Sequence, residues 1–314
     1  MRLIFWGSPD FALPSLRALL GEGHDVMAVV TQPDRPAGRG RGVRPTPVKR
    51  LAEEEGVPVL QPDRARGGDF LARLGAFHAD ASIVVAYGQI LPRDVLDVPA
   101  RGSLNVHASL LPELRGAAPI QWAIARGHDR TGVTVMRMVE RMDAGPILHQ
   151  VPEPILPEET AVELATRLSE IGAEALIEAL ALLETDQLKA VEQDESKVSF
   201  APRIGHEDAR IDWSTDAVTA GRLMRAMDDV PGAWARWQGE EVKLFRPRPE
   251  PAEVVSAAPG TVLEADGIDP ADGIRIACGR GSVRVREVKP AGRRRMLALE
   301  WVRGRGPRAG DRLD

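Results

Sequence analysis

The sequence predicts a doubly wound α/β domain on a parallel sheet, followed by a small C-terminal β-barrel domain. Three observations lead there. From Leu3 to Val139 short apolar runs alternate with segments of helical period. From Glu158 to Leu183 the helical spacing is long and unbroken. Beyond Ile211 the pattern changes to short strands punctuated by glycine turns. Strands alternating with helices imply parallel βαβ units, and evenly spaced short strands suit a barrel.

Each element follows from local pattern. Leu3–Trp6 is a short apolar run stopped by Gly7-Ser8-Pro9, so it reads as a buried strand. Phe11–Leu20 has helical spacing and ends at Gly21-Glu22-Gly23. Val26–Thr31 is a second strand. Asp34–Pro47, broken by glycines and prolines, is a long loop of the kind that is functional or disordered in a compact domain. Val48–Glu55 reads as a helix, Val57–Leu60 as a strand, Phe70–Phe77 as a helix and Ala81–Tyr87 as an Ile- and Val-rich strand. Gly102–His107 is a strand, Ala118–Ala125 a helix and Val133–Val139 a strand. Glu192–His206 is polar with no period and reads as a linker. Ala217–Met227 is a helix, and Ala233–Trp237, Glu241–Phe245, Gly260–Glu264, Ile274–Ala277 and Val283–Val288 are strands. The expected boundaries are residues 1–190, a linker at 191–207, and 208–314.

Composition narrows the function. The 314 residues are 43% apolar and 28% charged, enough for two folded domains and against a disordered chain. Cys278 is the only cysteine, which excludes an internal disulfide and a Cys-rich metal site and suits a reducing compartment. The apolar run at the N-terminus is too short for a signal peptide, and no stretch reaches the ~18 apolar residues of a membrane span. A soluble cytoplasmic protein is the expectation, working as a monomer. The net charge of −5 argues against a chain that binds nucleic acid over its whole surface. Yet residues 34–50 hold six basic residues (Arg35, Arg39, Arg41, Arg44, Lys49 and Arg50) against Asp34, and residues 275–312 hold twelve basic against three acidic. Two such patches on an acidic protein suit local contact with a polyanion, although a solvated face is the commoner explanation of a charge run taken alone.

The chemistry gathers elsewhere. Gly7-Ser8-Pro9-Asp10 stands where a dinucleotide fingerprint would, but it lacks the later glycines, and no phosphate-binding loop occurs. Asn105 and His107 lie one residue apart on an expected strand, so their side chains share a face. That strand ends at the carboxyl edge of the sheet, where open α/β sheets bind ligands. Asp143 follows the next expected strand, which would bring it to the same edge. An amide, an imidazole and a carboxylate can stabilise an oxyanion and manage a proton in acyl transfer. No nucleophile elbow is present, so the nucleophile can belong to the substrate. On residue types alone, a structural hydrogen-bonding role for His107, a loop cap for Asn105 and a turn cap for Asp143 stay open. His24, His78, His128, His149 and His206 have no ligand spacing and read as structural.

Ser103-Leu104-Asn105-Val106-His107-Ala108-Ser109-Leu110-Leu111-Pro112 and Arg115-Gly116-Ala117-Ala118-Pro119-Ile120 together resemble the signature of the folate-dependent formyltransferase family. The resemblance extends over essentially the whole chain. It includes Gly7–Phe11, Thr31–Gly40, Val85–Leu91, Asp208–Ser214 and Pro290–Arg294, and the basic loop and C-terminal segment favour its tRNA-directed branch. It implies a Rossmann-like catalytic domain and an OB-like barrel. It implies that Asn105, His107 and Asp143 are catalytic. Ser109, Leu110, Leu111 and Pro112, with Tyr87, Gly88, Ile90 and Leu91, would line the folate side. Arg39 would reach the acceptor stem of a tRNA, with Arg35, Arg41, Arg44, Lys49, Arg293 and Arg294 as further contacts. The implied reaction moves a formyl group from 10-formyltetrahydrofolate to the α-amine of methionyl initiator tRNA, without a metal. Glu113-Leu114 departs from the basic-then-aromatic pair common in the family, and Arg203-Ile204 stands where lysine is common. Formylfolate hydrolysis, formyl transfer to a sugar nucleotide or purine precursor, and tRNA binding with an idle folate pocket are the competing readings. The basic loop and barrel weigh against the first two, and the intact Asn-His-Asp set against the third.

Overall fold

A seven-stranded sheet, a six-stranded sheet and a two-stranded hairpin organise the chain in a computed structural model that describes residues 1–37, 42–252, 254–267 and 272–314. Along the chain run β1 (Arg2–Gly7), α1 (Leu13–Gly21), β2 (Asp25–Val30), β3 (Arg35–Ala37), β4 (Gly42–Arg44), α2 (Pro47–Glu54), β5 (Val59–Leu60), α3 (Gly68–Gly75), β6 (Ala81–Val85), α4 (Arg93–Leu96), β7 (Ser103–His107), α5 (Pro119–Ala125), β8 (Arg130–Arg137), β9 (Ile147–Pro154) and α6 (Ala161–Glu184). Then come α7 (Ala217–Ala226), β10 (Trp234–Trp237), β11 (Glu240–Glu250), β12 (Val262–Glu264), β13 (Ile274–Ala277), β14 (Ser282–Pro290), β15 (Met296–Leu297) and α8 (Ala298–Gly304).

The large sheet has the order β5-β2-β1-β6-β7-β8-β9. Its first five strands are parallel, as the alternation of strand and helix predicts. β8 and β9 depart from the expected parallel pattern, each running antiparallel to its predecessor in the sheet. A parallel return needs a crossover packed on the sheet. Residues 120–129, which carry most of α5, instead belong to the other compact unit. β9 was not foreseen because Pro152 and Pro154 break its strand pattern. It is an edge strand, where a missing backbone donor costs no ladder bond. The loop expected at 34–47 holds the β3–β4 hairpin. Its Arg39 and Arg41 lie outside the described residues.

The chain divides into two compact units. One comprises Met1–Pro119, Arg130–Pro154 and Ala165–Ala201, the other Ile120–Asp129, Ile155–Leu164 and Pro202–Asp314. Of the stretch expected as a linker, residues 191–201 therefore run with the first unit. In that unit β1 and β6 are buried almost throughout, and Trp6 packs edge-on against Tyr87 and Phe70 while its indole N–H donates to Ser82 Oγ at 3.1 Å. Gly172 of α6 lets that helix approach the back of β7 closely: a Cβ there would stand 3.0 Å from Val106 Cγ1. The second unit is the antiparallel, barrel-like sheet β10-β11-β14-β13-β12 with β15 on β14. Leu244, Phe245, Ile274, Ile276, Val283, Val285 and Val288 fill its core. α8, absent from the sequence expectation, brings Trp301 edge-on to Trp237. Among the described residues no helix is long and apolar enough to cross a membrane.

A capping box starts α6. The Thr160 N–H donates to Glu163 Oε2 at 2.9 Å, and the Glu163 N–H returns to Thr160 Oγ1 at 3.3 Å. Glu163 also pairs with Arg246 at 2.9 Å. These contacts, led by the Thr160 backbone N–H, hold the Glu163 carboxyl down at about 2.

Candidate active site

Three parallel strands deliver their following turns to one edge. Gly7 of β1 stands opposite Val85 of β6, and Val84 stands opposite Asn105 of β7. The segments after them, starting at Ser8, Ala86 and Ala108, leave the sheet on the same side. Ser8 Oγ donates to the Tyr87 carbonyl at 3.3 Å, joining the first two. On β7, Val106 turns back toward α6, so Asn105 and His107 present the opposite face.

His107 is 6% exposed. Its Nε2–H donates to the Leu114 carbonyl at 3.1 Å, and its Nδ1 lies 3.8 Å from Asp143 Oδ2. The two groups are therefore neighbours, as expected, but by a different route. Because β8 is antiparallel, its last residue, Arg137, stands opposite Leu104, at the wrong end of β7. Residues 138–146 run back about 10 Å along the strand direction to present Asp143, whose φ of 50° is left-handed. The Gly116 N–H donates to Asp143 Oδ2 at 2.8 Å. Gly116 has a φ of 128°, and a Cβ there would meet the Ala201 carbonyl oxygen at 2.5 Å, so no other residue fits this turn. Among the described residues the half-buried Asn105 amide has no hydrogen-bond partner.

The loop after His107 is held internally. Ser109 Oγ donates to the Glu113 carbonyl at 2.6 Å, and buried Thr134 donates to the Ser109 carbonyl while accepting from the Leu111 N–H. Gln150 Nε2 donates to the Leu111 carbonyl at 2.8 Å. Ser109 and Leu111 are thus buried and engaged, while Leu110 and Pro112 stay partly open. On the neighbouring segment Gly88 and Ile90 are exposed, whereas Tyr87 and Leu91 belong to the core. The Tyr87 hydroxyl is buried without a partner, and burial pushes it up to about 12. The departures from the family pattern sit beside His107: Glu113 is exposed, and Leu114 is the buried residue whose carbonyl holds the imidazole.

The basic residues fall into exposed and ion-paired groups. Arg35 and Arg44 are exposed and stand directly opposite each other across the β3–β4 hairpin. Like charges so placed repel unless an anion compensates them. Lys49 instead donates to Asp34 Oδ2 at 2.6 Å, while Gln61 holds Asp34 Oδ1 at 2.6 Å. Those two hydrogen bonds keep the Asp34 carboxyl below its ordinary value. In the C-terminal patch Arg293 and Arg294 are exposed on the turn after β14. Arg275 and Arg284 pair with Glu250 and Glu264, and Arg295 with Asp228 and Glu287. The free positive charge there is smaller than the residue count suggests.

Sequence reasoning missed the support behind Asp143. Arg115, 1% exposed, donates through Nε and Nη2 to Gln193 Oε1, and through Nη2 to Glu195. Gln193 donates to the carbonyls of Asp143 and Gly145. The available signal was Arg115 itself, a cation in the small, apolar run Leu114–Pro119 that cannot be buried without partners. Among the described residues no cluster of His, Cys, Asp or Glu is built to hold a metal. Cys278 is buried, which pushes its thiol up to about 12.

This geometry meets a consistent set of relatives. The formyl transferase family matches residues 1–180, and the formyl transferase C-terminal domain family matches residues 203–306. A methionyl-tRNA formyltransferase of Magnetococcus marinus is 44% identical over 314 residues, covering 99% of this chain and 98% of its own. One from Methylococcus capsulatus is 46% identical over 303 residues, covering 96% of each chain. Among solved structures, HypX from Aquifex aeolicus in complex with tetrahydrofolic acid superposes with a TM-score of 0.68 at 21% identity, over 98% of this chain and 48% of that one. An N-formyltransferase from Helicobacter canadensis, in complex with folinic acid and dTDP-3-aminofucose, gives 0.65 at 15% identity over 90% and 97%. At these identities the structural likeness speaks for the fold.

Proposed function

This chain belongs to the formyl transferase family, grouping with its methionyl-tRNA formyltransferases, and from that premise we propose that it moves the formyl group of 10-formyltetrahydrofolate to the α-amine of methionyl initiator tRNA. The observation that carries the reading at the site is the approach of His107 and Asp143 beside an unpartnered Asn105 amide.

The substrate amine attacks the formyl carbon, so no covalent enzyme intermediate is needed. As the new C–N bond forms, the Asn105 amide donates to the developing oxyanion, and the His107 Nε2–H turns from the Leu114 carbonyl to donate to it as well. Asp143 orients His107 and accepts the proton that the amine gives up. The tetrahedral species then breaks its bond to folate N10, which takes a proton as it leaves. The internally hydrogen-bonded loop 109–112 supplies a fixed wall for the formyl donor, with Gly88 and Ile90 on the adjacent segment facing it. The exposed Arg35–Arg44 pair, together with Arg39 and Arg41 of the same loop, takes tRNA phosphates, as do Arg293 and Arg294. One chain carries all three chemical groups, so the reading needs no second copy, and it places the protein in the cytoplasm with its charged tRNA.

Purified protein incubated with the formyl donor and methionyl initiator tRNA should yield formylmethionyl-tRNA. Elongator tRNA should give little product, and omission of tRNA should give no formate. In the same assay H107A and D143A should lose roughly 10²–10⁴ of the turnover at an unchanged melting temperature. Formate release without tRNA product would overturn the substrate assignment. A wild-type rate in either variant would overturn the mechanism.

A further inference from the structure

Asp143 carries a left-handed backbone at the far point of a loop that returns along β7. A non-glycine residue holds that conformation only when its surroundings over-determine it. The surroundings form a closed ring. Gln193, 8% exposed, donates to the Asp143 carbonyl at 2.9 Å and to the Gly145 carbonyl at 2.7 Å. Its Oε1 accepts from Arg115 Nε at 3.0 Å and Nη2 at 2.8 Å. Arg115 is covalently joined to Gly116, whose N–H donates to the Asp143 carboxylate at 2.8 Å. The ring closes through Asp143 itself.

Every hydrogen-bonding group of the Gln193 amide is engaged: both N–H donors and both lone pairs of the oxygen. The Arg115 end is anchored further. Its Nη2 reaches Glu195 at 3.0 Å, and Arg141 of the returning loop reaches the same carboxylate at 2.7 Å. Main-chain bonds run alongside: the Arg115 N–H donates to the Ser199 carbonyl, and the Ala201 N–H to the Arg115 carbonyl. One amide therefore sets the separation between the backbone that carries the Asp143 carboxylate and the backbone N–H that aims it.

We propose that Gln193 is a positioning residue for formyl transfer, holding the Asp143 carboxylate in register with His107. The inference rests on the function proposed above. Two variants separate positioning from packing. Q193M keeps the volume and removes every hydrogen bond. Q193E keeps the oxygen that Arg115 holds and replaces both donors with an acceptor facing two carbonyls. Both should lower kcat by about 10- to 100-fold, the scale of a 1 Å misplacement, while KM for the formyl donor and for tRNA changes by less than about threefold. Hydrogen exchange at the Gly116 amide, followed without substrate, should quicken by about tenfold or more in both variants as the carboxylate leaves it.

A folded Q193E with wild-type kcat would overturn the proposal, because it would show that the link to Arg115 suffices. Slow turnover with unchanged Gly116 exchange would also overturn it, since the effect would then bypass Asp143. If the wild-type chain formylates no tRNA, the functional reading fails by itself, and Gly116 exchange decides whether Gln193 holds Asp143.

Discussion

Lys49 is a basic residue whose charge is already answered within the protein. It lies in the basic run that suggests phosphate contact, but its ammonium is tied to Asp34, with both side chains mostly buried. It closes the base of the hairpin, whereas Arg35 and Arg44 remain exposed. Removing an exposed phosphate contact lowers the slope of log affinity against log salt by about 0.7–0.9. R35A and R44A should each do so in a tRNA-binding titration. K49M and D34N should weaken binding with the slope unchanged, and the double variant should be no worse than either alone; a reduced slope for K49M would instead make it a phosphate contact. The site residues were unevenly legible for similar reasons. Asn105 and His107 share a strand, and a two-residue spacing fixes their common face. Asp143 was recognisable by type, but its path was not, since the spacing does not reveal the direction of β8. Gln193 gave no signal: a buried amide has neither a charge nor a period.

At the scale of elements, the parallel strands β1, β2, β6 and β7 could be read to within a residue or two because continuous apolar runs end at glycine or polar turns. β9 and the strand β15 could not, because proline, short length and edge position remove the pattern. The start of α6 carries a titration consequence. Glu163 sits at about 2 in the folded protein against an ordinary 4.5. A depressed carboxyl contributes stability that is fully present above the unfolded value and is lost as pH falls through the folded one. Wild-type stability should therefore decline between about pH 4.5 and pH 2. E163Q should be less stable than wild type near neutrality and show a shallower decline through that window. Denaturant midpoints at about pH 5 and pH 3 check this, and parallel acid limbs would refute it. T160A, which removes the side-chain half of the cap, should cost about 1 kcal/mol.

The whole molecule interleaves its two units along the sequence, so no single cut separates them. Residues 120–129 and 155–164 belong with 202–314. Trp122 donates to the Pro202 carbonyl at 2.8 Å, and Arg225 to the Glu159 carbonyl at 2.8 Å. The fragment 202–314 expressed alone should melt at least roughly 5–10 °C below the corresponding transition of the full chain, the shift that a loss of 1–2 kcal/mol brings in a domain of this size. Calorimetry showing equal midpoints would mean that the two early segments contribute nothing. The returning loop has a different consequence, one of timing. A ribosome releases a chain amino terminus first, at about 5–20 residues per second. The large sheet has its last strand once Pro154 emerges. Gln193, which grips the Asp143 turn, and Ala201, against which Gly116 packs, are synthesised later. Every strand of the large sheet is therefore synthesised before the residues that hold its acid, and chemical competence cannot precede residue 201 during translation.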